Sequence, residues 1–147
     1  MTSERPVGLF VPPEVVAGHA VTPRPVCSPS PPMRLVPGMA AVDHSGRVRD
    51  TVVFGVLGWE PGGRTGVGVR AEALLVRRVQ QGGAMIDARG RVFLPVAARA
   101  QLGIAVGERL LVVAVPDRDL LIVHRLSVVA ALLAGHYGDE GMLDVQR

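Results

Sequence analysis

The sequence predicts a mainly β domain with short helices, preceded by a proline-rich arm and followed by one C-terminal helix. Hydrophobic residues make up 48% of the chain but aromatic residues only 3%, so the core must consist of Val, Leu, Ala and Ile. Valine favours strands. Prolines concentrate near the N-terminus, and an ordered set of short matches recurs once along the rest of the chain, which indicates an internal repeat.

The N-terminal stretch, residues 1–38, contains nine of the 12 prolines. Proline lacks a backbone donor and has a fixed φ, so this stretch is unsuited to a helix or a central strand. We therefore predict a disordered or extended arm over 1–38. The alternative is a docking peptide, because proline-rich segments bind grooves on partner proteins.

The first half of the repeat is predicted over residues 39–79. A short helix at 51–57 begins at an N-cap, either Asp50 or Thr51, and ends at Gly58. Two strands then flank a tight turn at Ala71 and Glu72. The predicted strands of this half are 39–43, 47–49, 64–70 and 73–79.

The second half, residues 84–125, repeats that order. Pro95 favours the first turn of a helix at 96–102, which Gly103 ends. The predicted strands are 84–87, 91–94, 108–115 and 120–125. A final apolar helix at 126–137 has no counterpart in the first half, and 138–147 is predicted to be a polar tail. One face of that helix, which either caps the domain or pairs two chains, carries Leu126, Val129, Ala130 and Leu133.

A short motif, Asp-x-x-Gly-Arg, occurs near the start of each half. An aspartate side chain can cap a tight turn, and a glycine supplies the positive φ that such a turn needs. In both copies a short helix ending in Leu-Gly follows, and then a hairpin. This ordered recurrence indicates a duplication. The turn-forming residues are Asp43 and Gly46 in the first copy, and Asp87 and Gly90 in the second.

The second copy closely resembles the AbrB/MazE/SpoVT family. The resemblance covers 86–110, where the motif is followed by Pro95, an arginine in the helix, Leu-Gly-Ile, and Gly-Glu before a strand. The first copy is more diverged, with Thr51 in place of Pro95 and Trp59 in place of Ile104.

In that family two half-barrels interlock, usually from two chains. The resemblance therefore implies a swapped-hairpin β-barrel, formed here as an intrachain pseudo-dimer because both halves lie on one chain. A half of this length is close to the lower size limit for an independent core, so each half needs the other. The linker between them, 80–83, is short and contains glycines.

The resemblance also implies double-stranded DNA as the partner, contacted by paired loops and helix arginines. It assigns those contacts to Arg47 and Arg91 in the loops and to Arg99 in the helix. The family's usual second helix arginine is replaced here by Ala100, and the first half has Gly55 opposite Arg99. Two further arginines, Arg49 and Arg89, are expected to compensate in part. Residues 39–126 hold twelve arginines against eight acidic residues, an excess that suits phosphate contacts.

Several kinds of chemistry are not expected. The chain has no lysine, which excludes a Walker A lysine and a Schiff base. Cys27 is the only cysteine, and the histidines show no metal-ligand spacing. The glycine-rich segment 62–68 leads into a strand rather than a helix, unlike a phosphate loop. We therefore predict no enzyme activity, no cofactor and no metal. The histidines are His19, His44, His124 and His136.

The sequence thus predicts a bacterial, cytoplasmic, DNA-binding transcriptional regulator. No signal peptide is recognisable, and the longest apolar runs are too short to span a bilayer. The main alternative is a MazE-like antitoxin or another protein-binding module, although the arm of such antitoxins usually follows the barrel. A ring-forming regulator like the tandem-repeat MraZ group is less favoured, because its copies are spaced more widely. Self-association through the C-terminal helix is a further expectation.

Overall fold

The computed structural model describes residues 33–138, and within them the chain is mainly β with three short helices. Residues 1–32 of the predicted arm and 139–147 of the predicted tail lie outside the described part. The strands are β1 (Val36–Ala41), β2 (Arg47–Val48), β3 (Arg64–Arg70), β4 (Ala73–Val79), β5 (Ala84–Met85), β6 (Val92–Phe93), β7 (Arg109–Val115) and β8 (Leu120–Arg125). The helices are α1 (Thr51–Leu57), α2 (Val96–Leu102) and α3 (Leu126–Gly138), and a 3-10 turn, Pro116–Arg118, joins β7 to β8.

Six strands form one open antiparallel sheet in the order β1-β7-β8-β4-β3-β5, and β2 pairs with β6 in a second, two-stranded sheet. The first strand of each half pairs with the other half. β1 runs beside β7, from Val36 opposite Ala114 to Ala41 opposite Arg109. β5 runs beside β3, with Ala84 opposite Thr65. The two halves therefore exchange their opening strands within one chain, and the β4–β8 pairing joins their hairpins.

The opening strand begins earlier than the sequence predicts. β1 starts at Val36, so the predicted boundary of the arm at residue 38 lies inside a strand. Pro37 is compatible with this position because β1 is an edge strand, where a residue without a backbone donor is tolerated. Val36 packs against the core, which gives the strand a reason to extend beyond the predicted start at Met39.

The two short helices have the predicted bounds, and their caps explain why. Asp50, rather than Thr51, is the N-cap of α1, since its Oδ1 accepts a hydrogen bond from Val53 N–H at 2.9 Å. Gly58 and Gly103 end α1 and α2, each with a φ of 72° in the left-handed region. Pro95 is the N-cap of α2 and not its first helical residue.

The core is aliphatic and contains contributions from both halves. α1 packs on β7 and β1, and α2 packs on β3, so each helix covers strands of the other half. Two aromatic residues join this core, Phe54 and Trp59, whose ring centroids lie 6.2 Å apart. Its largest fully buried side chains are Leu74, Leu94, Leu110 and Leu121.

The C-terminal helix α3 contacts β7 and β8 but buries none of its side chains fully. Leu132 and Leu133 are 64% and 48% exposed. α3 therefore covers little of the sheet, which disfavours the capping alternative. Within 33–138, no helix has the length and apolar character needed to cross a bilayer.

Candidate nucleic-acid interface

The pairing of β2 with β6 brings the two Asp-x-x-Gly-Arg turns side by side. In the first turn, Asp43 Oδ1 accepts hydrogen bonds from Ser45 N–H at 2.8 Å and Arg47 N–H at 2.9 Å. In the second, Asp87 Oδ1 accepts from Arg89 N–H and Arg91 N–H, both at 2.9 Å. Each aspartate thus fixes the backbone of its own turn. The glycines of the turns, Gly46 and Gly90, have φ values of 80° and 77°.

The two loop arginines form ion pairs across these turns. Arg91 Nη1 lies 2.8 Å from Asp43 Oδ2, and Arg91 Nε lies 2.7 Å from Asp87 Oδ2, so one guanidinium links both turns. Arg47 is held less closely, with its Nε 3.7 Å from Asp87 Oδ2 and its guanidinium carbon 5.2 Å from the ring centroid of Phe93. The side chains of Arg47 and Arg91 remain only 29% and 26% exposed.

Both carboxylates of this cluster remain ionised at neutral pH. Burial raises the pKa of Asp43, but hydrogen bonds from Ser45 and Arg47 and the charge of Arg91 outweigh it and hold the pKa far below its ordinary value. The backbone hydrogen bond from Arg91 lowers the pKa of Asp87, against a smaller effect of burial. The four charges of Asp43, Asp87, Arg47 and Arg91 therefore cancel, and the cluster adds no net positive charge to this surface.

Three further arginines surround the turns. Arg99 of α2 donates from Nε to the Leu94 carbonyl at 2.8 Å, and its guanidinium packs against Gly46, where an added Cβ would lie 2.9 Å from Nη2. Arg49 and Arg89 are exposed. Among the described residues, neither of these two side chains has a carboxylate within ion-pair distance. The excess positive charge at the turns therefore comes from Arg49, Arg89 and Arg99.

A groove that the sequence did not predict lies between Arg49 and Arg89. It is open to solvent and has a volume of about 290 Å³. Trp59 is fixed there by a hydrogen bond from its Nε1 to Asp119 Oδ1 at 2.8 Å. Arg78 holds Asp119 from the other side, with Nη2 at 3.0 Å from the same oxygen. The residues lining the groove are Arg49, Thr51, Phe54, Gly55, Trp59, Pro61, Ala88, Arg89 and Gly90.

The remaining candidates from the sequence occupy other roles. Ser45 Oγ donates to Asp43 Oδ1 at 2.6 Å, so it belongs to the turn. Much of the glycine-rich segment 62–68 lies in β3. Within 33–138, no group of three His, Cys, Asp or Glu side chains is placed to hold a metal ion. Cys27 and His19 lie outside the described residues.

Comparison of the chain with protein-family models, with curated proteins and with solved structures gave no match. The resemblance to the AbrB/MazE/SpoVT family therefore depends on the residues of the repeat themselves.

Proposed function

We propose that this chain is a double-stranded DNA-binding transcriptional regulator of the AbrB type. In this proposal both halves of a swapped-hairpin β-barrel come from one chain, which acts as a pseudo-dimer. The observation that carries the proposal is the exchange of opening strands, in which β1 pairs with β7 and β5 pairs with β3. The family makes the equivalent exchange between two chains. Both turn motifs then lie beside one another through β2 and β6.

The charges at the turns favour salt-sensitive binding of moderate strength. Each phosphate that a protein neutralises contributes about −0.9 to the slope of log K against log salt on duplex DNA. Because the ion-paired cluster is neutral, the contacts come mainly from Arg49, Arg89 and Arg99, which gives a slope of about −2.7. Five equivalent contacts, including Arg47 and Arg91, would instead give about −4.5.

The proposed DNA surface is unequal between the two halves. Arg99 has Gly55 as its counterpart in the first half, and Arg89 has Ser45. A symmetric protein dimer matches a palindromic site because its two surfaces are identical. We therefore expect this chain to prefer an asymmetric site, with arginines of the second half making the stronger contacts.

The proposal is tested by fluorescence anisotropy with a duplex from the gene's own upstream region, titrated at several salt concentrations. We expect the double variant Arg49→Ala/Arg89→Ala to bind more weakly and to flatten the salt slope by about 1.8. Arg70→Ala is the matched control, because Arg70 is also exposed but lies at the end of β3 away from β5. An unchanged slope in the double variant, or the absence of salt-dependent binding by the native chain, would contradict the proposal.

A further inference from the structure

The two halves differ where each short helix meets the turn of the other half. In the second half, Arg99 extends from α2 and packs against Gly46. In the first half, the matching residue of α1 is Gly55, and the matching turn contains Gly90. A Cβ added to Gly55 or to Gly90 would meet no atom within 4 Å. The volume that Arg99 fills on one side is therefore the open groove on the other.

The backbone differs in the same place. Leu94 N–H donates to the Gly46 carbonyl at 2.9 Å beside the filled position. Across the described residues, no equivalent hydrogen bond joins Asp50 N–H to the Gly90 carbonyl. The strand pairing that closes the second half thus stops short in the first half, which helps to leave the groove open.

The lining of the groove combines apolar surface with positive charge. Phe54 and Trp59 are almost fully buried, and Pro61 extends the apolar wall beside them. Arg49 and Arg89 are exposed at the same groove. Gly55 lies in the middle of α1, where glycine is less favourable than alanine, so helix stability does not explain its presence. An empty position there keeps the apolar wall accessible.

We propose that this groove binds a small organic anion. Its apolar ring would lie against Phe54 and Trp59, and its carboxylate or phosphate groups would pair with Arg49 and Arg89. The volume is near the lower end for small-ligand sites, which suits a single ring. Because Arg99 fills the equivalent volume, each chain has one such site. The ligand also competes with DNA for Arg49 and Arg89, a coupling that depends on the proposed function.

The test uses benzene-1,3-dicarboxylate as the probe and the fluorescence of Trp59, the single tryptophan, as the signal. We expect a saturable change with the probe, and at least about fivefold weaker binding of neutral benzamide or of inorganic phosphate alone. Arg49→Gln/Arg89→Gln should weaken probe binding to a similar extent.

Gly55→Arg introduces the residue that the second half has at this position, and it should abolish probe binding. Gly135→Arg is the matched control, because it adds the same charge to exposed α3, where a Cβ also meets no atom within 4 Å. Gly55→Ala provides a second variant should Gly55→Arg fail to fold. It should raise the melting temperature yet lower the affinity for the probe.

No saturable signal from the native chain, or unchanged binding by Gly55→Arg with a native-like melt, would overturn the proposal. Equal affinity for phosphate alone would also overturn it, since the apolar wall would then contribute nothing. Adding the probe to the DNA titration separates the two proposals. If the probe binds and DNA does not, the groove site stands and the DNA function fails. If DNA binds and the probe does not, only the groove site fails.

Discussion

The linker between the halves offers a sharp test of how β5 reaches β3. Gly82 and Gly83 both have positive φ, at 75° and 64°. A Cβ added to Gly83 would collide with the Thr65 carbonyl oxygen, whereas a Cβ added to Gly82 would meet no atom within 4 Å. The two glycines therefore share the same backbone demand, and only Gly83 is also packed against β3.

This difference sets the expected magnitudes. A left-handed backbone costs a non-glycine residue about 1–2 kcal/mol, so Gly82→Ala should destabilise the fold by about that amount. Gly83→Ala adds the overlap with a backbone atom, and forced overpacking costs about 1–3 kcal/mol more. In a domain of this size each kcal/mol lowers the melting temperature by about 4–8 °C. We therefore expect a fall of at least about 10 °C for Gly83→Ala and a clearly smaller one for Gly82→Ala.

Thermal melts followed by circular dichroism, with urea unfolding as a second measurement, compare the two variants. The reasoning predicts the stability order native, Gly82→Ala, Gly83→Ala. Equal melting temperatures for the two variants, or a Gly83→Ala protein as stable as the native chain, would refute the close approach of this linker to β3.

Three further outcomes are expected. Arg91→Ala should lower the melting temperature because it removes the link between Asp43 and Asp87, whereas Arg89→Ala should leave it unchanged; equal melts would contradict the ion-paired cluster. The folded-state pKa values of both aspartates are depressed, so their stabilisation is complete above the ordinary carboxyl pKa and is lost as the pH falls below it. The effect of Arg91→Ala should therefore shrink in acid, and urea unfolding at neutral and low pH checks this. Leu74→Ala should cost about 2–5 kcal/mol in urea unfolding, because Leu74 is fully buried on the strand that joins the two hairpins.

The sequence predicted well those elements that local patterns determine. The bounds of α1 and α2 follow from Gly58 and Gly103, which end each helix at a left-handed residue. The first hairpin turns at Ala71 and Glu72, as its two valine-rich strands indicated. The start of β1 was placed too late, because Pro37 suggested an irregular chain and the edge position that tolerates it depends on the whole sheet.

The candidate site depended on contacts that no local pattern contains. The sequence placed Arg47 and Arg91 in the loops, but not the ion pair of Arg91 with Asp43, whose partners are far apart along the chain. The replacement of Arg99 by Gly55 was visible only as a missing cation. Its structural consequence, an open groove beside Trp59, required the relative placement of two helices and two turns.

The exchange of opening strands within one chain is tested most directly by a disulfide across β1 and β7. Met39 lies opposite Leu111, and residues paired in this way have Cα atoms about 4.5–5.5 Å apart, which a disulfide can span. The variant Met39→Cys/Leu111→Cys would be made with Cys27→Ser, which removes the only native cysteine. Oxidised at low concentration and examined by non-reducing electrophoresis and light scattering, it should form the disulfide within a single chain. Covalent dimers without an intrachain product would show instead that β1 pairs with β7 of another chain.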